Sequence, residues 1–247
     1  MQNYKMILSY DGTRYDGWQK QGNTANTIQG KLETLLSRLT GEEVELHGSG
    51  RTDAGVHAMG QVASFKLEKK WDCGRLQESC NQYLPRDIVV SSLEEAEPRF
   101  HARLNAVEKT YRYRICTSKV RNVFQRYYVY EYGNALDMTA MRQAADLLIG
   151  EHDFQSFCST KRSKKSTVRK LYEINIAEGN GEVTITFRGN GFLYNMVRIL
   201  TGTLIEVGEG KRKPEEIPAI LAAKDRTTAG FTAPPEGLML ISVAYPD

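Results

Sequence analysis

A chain of 247 residues with 33 Lys and Arg against 30 Asp and Glu can bury an adequate core as one large domain or two small ones. Its formal charge of +3 excludes a histone-like polycation but leaves room for a local basic patch. Cys73, Cys80, Cys116 and Cys158 form no CxxC pair, and no run of about 18 apolar residues occurs, so zinc sites, disulfide frameworks and membrane spans are not expected. The start Met1-Gln2-Asn3-Tyr4-Lys5 has no charged leader before an apolar stretch, so the expected setting is a soluble cytoplasmic protein.

Lys5 to Tyr10 predicts a strand, and Ile28, Leu32, Leu35, Leu36 and Leu39 then share one face of a helix, with Asn26 as its expected cap. Val44 to His47 predicts a strand entering a glycine-rich loop, and Ala63, Phe65 and Leu67 alternate with polar neighbours in the strand that leaves it. That loop, Gly48-Ser49-Gly50-Arg51-Thr52-Asp53-Ala54-Gly55-Val56-His57, sets an arginine and a carboxylate on a backbone that glycine opens to close approach. An aspartate held beside a cation suits a carboxylate kept ionised as nucleophile or base. The alternative is a tight turn in which Asp53 bonds its own backbone and Arg51 faces water. Cys73, Leu76, Cys80 and Tyr83 mark a second helix closed by Pro85, and Ile88 to Leu93 a further strand, so the first half reads βαββαβ.

The second half repeats this order. Tyr111, Tyr113 and Ile115 alternate with Thr110, Arg112 and Arg114, which predicts a strand with one aromatic and one cationic face. Asp137 is the expected cap of a helix carrying Met138, Met141, Ala145 and Leu148, with Gly150 as its stop. Tyr172, Ile174 and Ile176 form a strand, and Glu178-Gly179-Asn180-Gly181 turns into another bearing Val183, Ile185 and Phe187. Leu193, Met196, Val197, Leu200 and Leu204 keep helical spacing, and Leu238 to Val243 closes the half.

This order predicts an α+β protein of two ferredoxin-like halves, residues 1–105 and 106–247, joined as one extended mixed sheet with helices on one side and a central RNA-binding cleft. An open sheet offering aromatic and basic side chains is what RNA-recognition modules use, while alternating aromatics are also ordinary strand core. Charge supports a polyanionic partner. Between Lys161 and Lys170, six of ten residues, Lys161, Arg162, Lys164, Lys165, Arg169 and Lys170, are cationic with no acid among them, which suits phosphate neutralisation. Arg99, His101 and Arg103 add a cluster near the boundary at Asn105. Gly48-Ser49-Gly50 lacks both the third glycine of a dinucleotide fingerprint and the spacing of a serine nucleophile elbow, and no phosphate loop or metal-ligand set appears.

Gly50-Arg51-Thr52-Asp53-Ala54-Gly55-Val56-His57 closely resembles the signature of the tRNA pseudouridine synthase A family. So do Tyr10-Asp11-Gly12 with Gly17-Trp18-Gln19, Phe100-His101-Ala102-Arg103, Lys109-Thr110-Tyr111-Arg112-Tyr113 and Gly150-Glu151-His152-Asp153-Phe154. The likeness continues through Gly191-Phe192-Leu193-Tyr194-Asn195-Met196-Val197-Arg198 and Thr232-Ala233-Pro234 before Gly237-Leu238. It covers nearly the whole chain in order; the lysine-rich stretch within Cys158 to Lys170 follows no family pattern.

The resemblance implies isomerisation of uridine to pseudouridine in the anticodon stem-loop of tRNAs, at the positions numbered 38, 39 and 40, without cofactor or metal. It implies Asp53 as the nucleophile, attacking the ribose or the uracil or assisting elimination to a glycal. It further implies Arg198 as the cation that keeps Asp53 ionised, Tyr111 as a catalytic residue stacked on the extruded base and removing the carbon-five proton late in the reaction, and Arg51 in the space that base vacates. A homodimer is implied as well. A non-catalytic RNA-binding or tRNA-chaperone protein on the same paired modules is the alternative from another functional class.

Overall fold

The computed structural model describes residues 1–160 and 166–246. Strands and helices follow in the order β1 (Gln2–Tyr10), α1 (Ile28–Thr40), β2 (His47–Gly48), β3 (His57–Leu67), α2 (Cys73–Tyr83), β4 (Ile88–Ala96), β5 (Glu108–Cys116), β6 (Tyr130–Glu131), α3 (Met138–Asp146), β7 (Gly150–Asp153), β8 (Val168–Gly179), β9 (Glu182–Gly189), α4 (Met196–Gly208), α5 (Ile217–Ala223) and β10 (Leu238–Ala244). Two compact units result, Met1–Val107 with Met239–Asp247, and Glu108–Leu238. Among the described residues no helix is long and apolar enough to cross a membrane.

In the first unit Tyr4, Met6, Leu8 and Tyr10 occupy alternate positions of β1, and all are buried, as the two-residue period of a strand requires when one face meets a core. β1 pairs antiparallel with β3 and β4, and Tyr4 stacks on its cross-strand partner Phe65 at 5.3 Å between ring centroids. Ile28, Leu32 and Leu36 of α1 complete this core. The helix cap is Thr27 rather than Asn26: Thr27 Oγ1 accepts from the Gly30 N–H at 3.2 Å, because the Asn26 amide donates to the Arg14 carbonyl instead. Gly41 ends α1 in the left-handed region at φ 73°, a conformation open to glycine without a Cβ penalty. β10, which periodicity groups with the second half, runs parallel to β3, with Met239 opposite His57 and Leu240 opposite Ala58.

In the second unit β5, β9, β8 and β7 pair antiparallel in that order. The turn between β8 and β9 holds Asn180 at φ 52° and Gly181 at φ 76°, the pair of positive angles that an Asn-Gly hairpin supplies. The tyrosine stripe is core: Tyr113 and Ile115 are fully buried and Tyr111 nearly so. Two arginines on the opposite face of the sheet are ion-paired. Arg114 holds Glu182 at 2.8 Å, and Arg188 on β9 holds Glu108 at 2.9 Å and Glu173 at 3.2 Å. The stripe is thus the strand-core alternative, while Arg112 on the opposite face of β5 is exposed. Asp137 caps α3 through the N–H groups of Thr139 and Ala140, but the helix ends at Asp146, and Gly150, at φ 111°, opens β7 rather than stopping α3.

Candidate active site

The Asp53 loop is held from below by a polar network and from the side by glycines. β2 delivers the chain to Ser49, whose N–H donates to the Val62 carbonyl at 2.7 Å and whose hydroxyl donates to Gln61 Oε1 at 2.6 Å. Gln61, fully buried, donates through Nε2 to the Gly50 carbonyl at 3.0 Å. Thr52, also buried, shares a hydrogen bond of 2.8 Å with the Tyr10 hydroxyl. Burial pushes that phenol up to about 12, so Tyr10 stays protonated as a fixed member of the network.

From the side, Trp18 N–H donates to the Thr52 carbonyl at 3.0 Å, and the carbonyls of Gly17 and Trp18 accept the first N–H groups of α1 from Ile28 and Gln29. The loop is thereby tied to the start of a helix, where N–H donors otherwise lack partners. Three glycines permit the close approach. A side chain at Gly12 would collide with the Val56 carbonyl. One at Gly17, itself at φ 90°, would lie 2.7 Å from the Thr52 carbonyl, and one at Gly48 would enter the Trp18 ring. The short motifs around Gly12 and Gly17 are thus parts of the cradle for residues 52–56, a role invisible in their own spacing. Asp53 sits half-buried between buried Thr52 and exposed Ala54, and its carbonyl accepts from Val56 N–H at 3.1 Å. Arg51 is exposed and donates through Nε to Gln19 Oε1 at 3.0 Å.

A groove of about 970 Å³ in the same unit includes Gln19, Lys20, His47, Lys66, Arg99 and His101 in its walls. His47 and His101 stack there at 4.8 Å and 22°. His101 Nδ1 accepts from the Arg103 N–H at 3.1 Å; burial, and then the neighbouring His47, hold this imidazole below its ordinary pKa. Arg99 and His101 thus share one groove, whereas Arg103 is an exposed residue outside its walls. Lys161, Arg162, Lys164 and Lys165 lie outside the described residues.

In the second unit Arg198 stands in the first turn of α4, where its guanidinium adds to the positive end of the helix. Nε donates to the Ala233 carbonyl at 2.7 Å and Nη1 to Asn195 Oδ1 at 3.1 Å. The Ala233 N–H donates back to the Arg198 carbonyl. Pro234 accepts from the Tyr113 hydroxyl at 2.7 Å, and a side chain at Gly202 would collide with the Phe231 carbonyl. Thr232-Ala233-Pro234 is therefore the strap that aims Arg198. Tyr111 meets Phe192 edge to face at 5.1 Å and 81°, a favourable geometry for two rings. Sequence reasoning singled out Arg198 and Tyr111; Ala233, Asn195 and Phe192, which hold them, carried no chemical signature of their own. Among the described residues no group of three His, Cys, Asp or Glu side chains is placed to hold a metal ion.

Residues 6–105 and 144–246 match the model of the family described as tRNA pseudouridine synthase. The chain is 46% identical over 245 residues to tRNA pseudouridine synthase A of Bacillus sp. (strain KSM-64), covering 99% of this chain and 100% of that one. It is 47% identical, at the same coverage, to tRNA pseudouridine synthase A 1 of Clostridium tetani and to tRNA pseudouridine synthase A of Caldicellulosiruptor bescii. With both the loop and the strap accounted for and the likeness running over nearly every residue, the chain belongs to the tRNA pseudouridine synthase family.

Proposed function

We propose that this protein isomerises uridine to pseudouridine in the anticodon stem-loop of tRNA, at positions 38, 39 and 40, with Asp53 as the nucleophile. The net change breaks the bond from the ribose anomeric carbon to N1 and makes one to C5. The hydrogen on C5 is lost and N1 gains one, so no electrons enter or leave and no cofactor is called for. The observation that carries this reading is the cradle itself. Hydrogen bonds to the Gly50 and Thr52 carbonyls and from the Gly55 N–H fix the main chain on either side of Asp53, and the Tyr10 hydroxyl holds the Thr52 side chain, which is the preorganisation a nucleophile needs.

Asp53 then attacks the nucleoside, at the sugar or the ring or by assisting elimination to a glycal. A carboxylate covered by RNA gains proton affinity, and Arg198 is the guanidinium that opposes this. The hold on Arg198 by Ala233 of the strap and by Asn195 at the start of α4 supports the assignment. Tyr111 stacks on the flipped base, and Arg51 fills the vacated stack; extrusion costs a few kcal/mol. Arg99, His101, Arg103 and the stretch holding Lys161, Arg162, Lys164 and Lys165 bind phosphate. The acting form is a cytoplasmic homodimer whose functional halves are 1–105 and 106–247.

Tritium release from tRNA carrying 5-tritiated uridine tests the reading. The wild-type protein releases tritium, and Asp53→Asn abolishes release, about 10⁴-fold or more, with tRNA affinity nearly intact. Arg198→Met cripples release more than binding. Binding without release by the wild-type protein would instead identify an RNA-binding or chaperone protein.

A further inference from the structure

The loop between β5 and β6 exposes side chains that neither the catalytic reading nor the core uses. Phe124 is 85% exposed and Val120 80%, with Val123 and Tyr127 also open to solvent. From Thr117 to Tyr130 the sequence holds Lys119, Arg121 and Arg126 and no acid. Tyr127 lies beneath the Arg126 guanidinium, 4.2 Å from ring centroid to Cζ. Arg121, 78% exposed, reaches Glu131 at 3.2 Å, which leaves the cationic excess on Lys119 and Arg126.

This loop is built to hold its shape. Thr117 and Ser118 N–H donate to the Gly181 carbonyl at 2.8 and 3.2 Å. Arg114 Nη1 donates to Gln125 Oε1 at 2.9 Å, which ties the turn to β5. Phe124 N–H donates to Asn122 Oδ1 at 3.1 Å and Gln125 N–H to the Asn122 carbonyl at 3.0 Å, and this local turn leaves the Phe124 ring outside. A large apolar ring displayed between cations, on a fixed turn with no carboxylate in the loop, matches the stacking and charge pattern of unpaired nucleic acid.

We propose that the loop of residues 117–129 is a second RNA-binding element, in which Phe124 stacks on a base of the tRNA outside the anticodon arm and Lys119 and Arg126 meet the flanking phosphates. The proposal rests on tRNA being the substrate. Its placement follows from β5. Cys116 lies five residues beyond Tyr111 in an extended strand, about 17 Å away, so the loop reaches nucleotides distant from one held at Tyr111.

The test compares full-length tRNA with an isolated anticodon stem-loop by fluorescence anisotropy at two salt concentrations. Phe124→Ala and Phe124→Leu weaken full-length tRNA binding about tenfold, and Phe124→Trp retains it, as base stacking requires. The stem-loop affinity and its saturated turnover stay within twofold of wild type. Arg126→Ala lowers the salt slope by about one, and the Phe124 variants leave it unchanged. Unchanged tRNA affinity in Phe124→Ala overturns the proposal. So does Phe124→Leu binding as well as Phe124→Trp, since an apolar contact without stacking would explain that result. A shift of Phe124→Ala to a smaller sedimenting species with tRNA affinity retained assigns the loop to a second copy of the chain and overturns it too. Wild-type protein that binds tRNA without releasing tritium removes the catalytic reading but not this one, so the two failures are distinguishable.

Discussion

The Asp53 loop and the open face of β5 and β9 both combine arginines with carboxylates, yet they are organised in opposite ways. On the sheet, Arg114 and Arg188 are matched to Glu182, Glu108 and Glu173 within 3.2 Å, so the charges answer one another and project little field outward. In the loop, the hydrogen bonds at Ser49, Gly50 and Thr52 come from uncharged partners, Gln61 and Tyr10, and Arg51 too reaches an uncharged side chain, Gln19. Charge content therefore does not mark a site here. What marks it is backbone rigidity supplied by neighbours that carry no charge.

The largest effect that can break this comparison comes from the glycines. Gly12→Ala forces a methyl into the Val56 carbonyl and Gly17→Ala adds one at φ 90° beside the Thr52 carbonyl, so each is expected to cost about 1–3 kcal/mol of stability. Each also lowers turnover by about 10²-fold or more through displacement of the loop. Gly22→Ala has open space around it and serves as the matched control, with wild-type melting and turnover. Melting temperatures and tritium release on the three variants decide the matter. Full activity in Gly12→Ala would show that the cradle is not what positions Asp53.

A smaller effect is expected on the sheet. Arg188→Gln should change tRNA affinity by less than twofold and leave the melting temperature nearly unchanged, as exposed ion pairs do. Anisotropy titrations at two salt concentrations check this. A tenfold loss of affinity with a reduced salt slope would make that face an RNA platform after all and erase the contrast with the loop.

Much of this arrangement was legible in the sequence because its causes are local. Asn180-Gly181 announces its hairpin by the φ angles those residues tolerate, and Asp137 announces α3 by a side chain that reaches N–H groups two and three residues on. Thr27 displaced Asn26 as a cap by a single position, since only tertiary structure shows that Asn26 is engaged by Arg14. The facing of the Tyr111 strand was not legible either, because alternation fixes two sides without saying which meets the core. β7, four residues long, and α5, seven, are too short for periodicity to declare. Asp53, Arg198 and Tyr111 stood out by chemical type and motif; Gly12, Gly17, Ala233 and Phe192 fall in the matched motifs too, but what they do depends on contacts far away in sequence, which their own spacing does not encode.

The smallest effect lies at one side chain of the groove, His101, whose positive charge is disfavoured rather than matched. His101 is held below its ordinary pKa first by burial and then by the His47 ring stacked on it. The native state consequently binds fewer protons than the unfolded chain as pH falls below about 6.5, so this residue lowers stability on acidification through its folded pKa and leaves it unaffected well above 7. His47→Ala removes the second cause and leaves the first. The His101 midpoint followed by NMR should rise toward, but not reach, the ordinary value, and the acid-side loss of stability attributable to His101 should shrink. An unchanged or lower midpoint in His47→Ala would show that the stacked rings do not share the groove in solution.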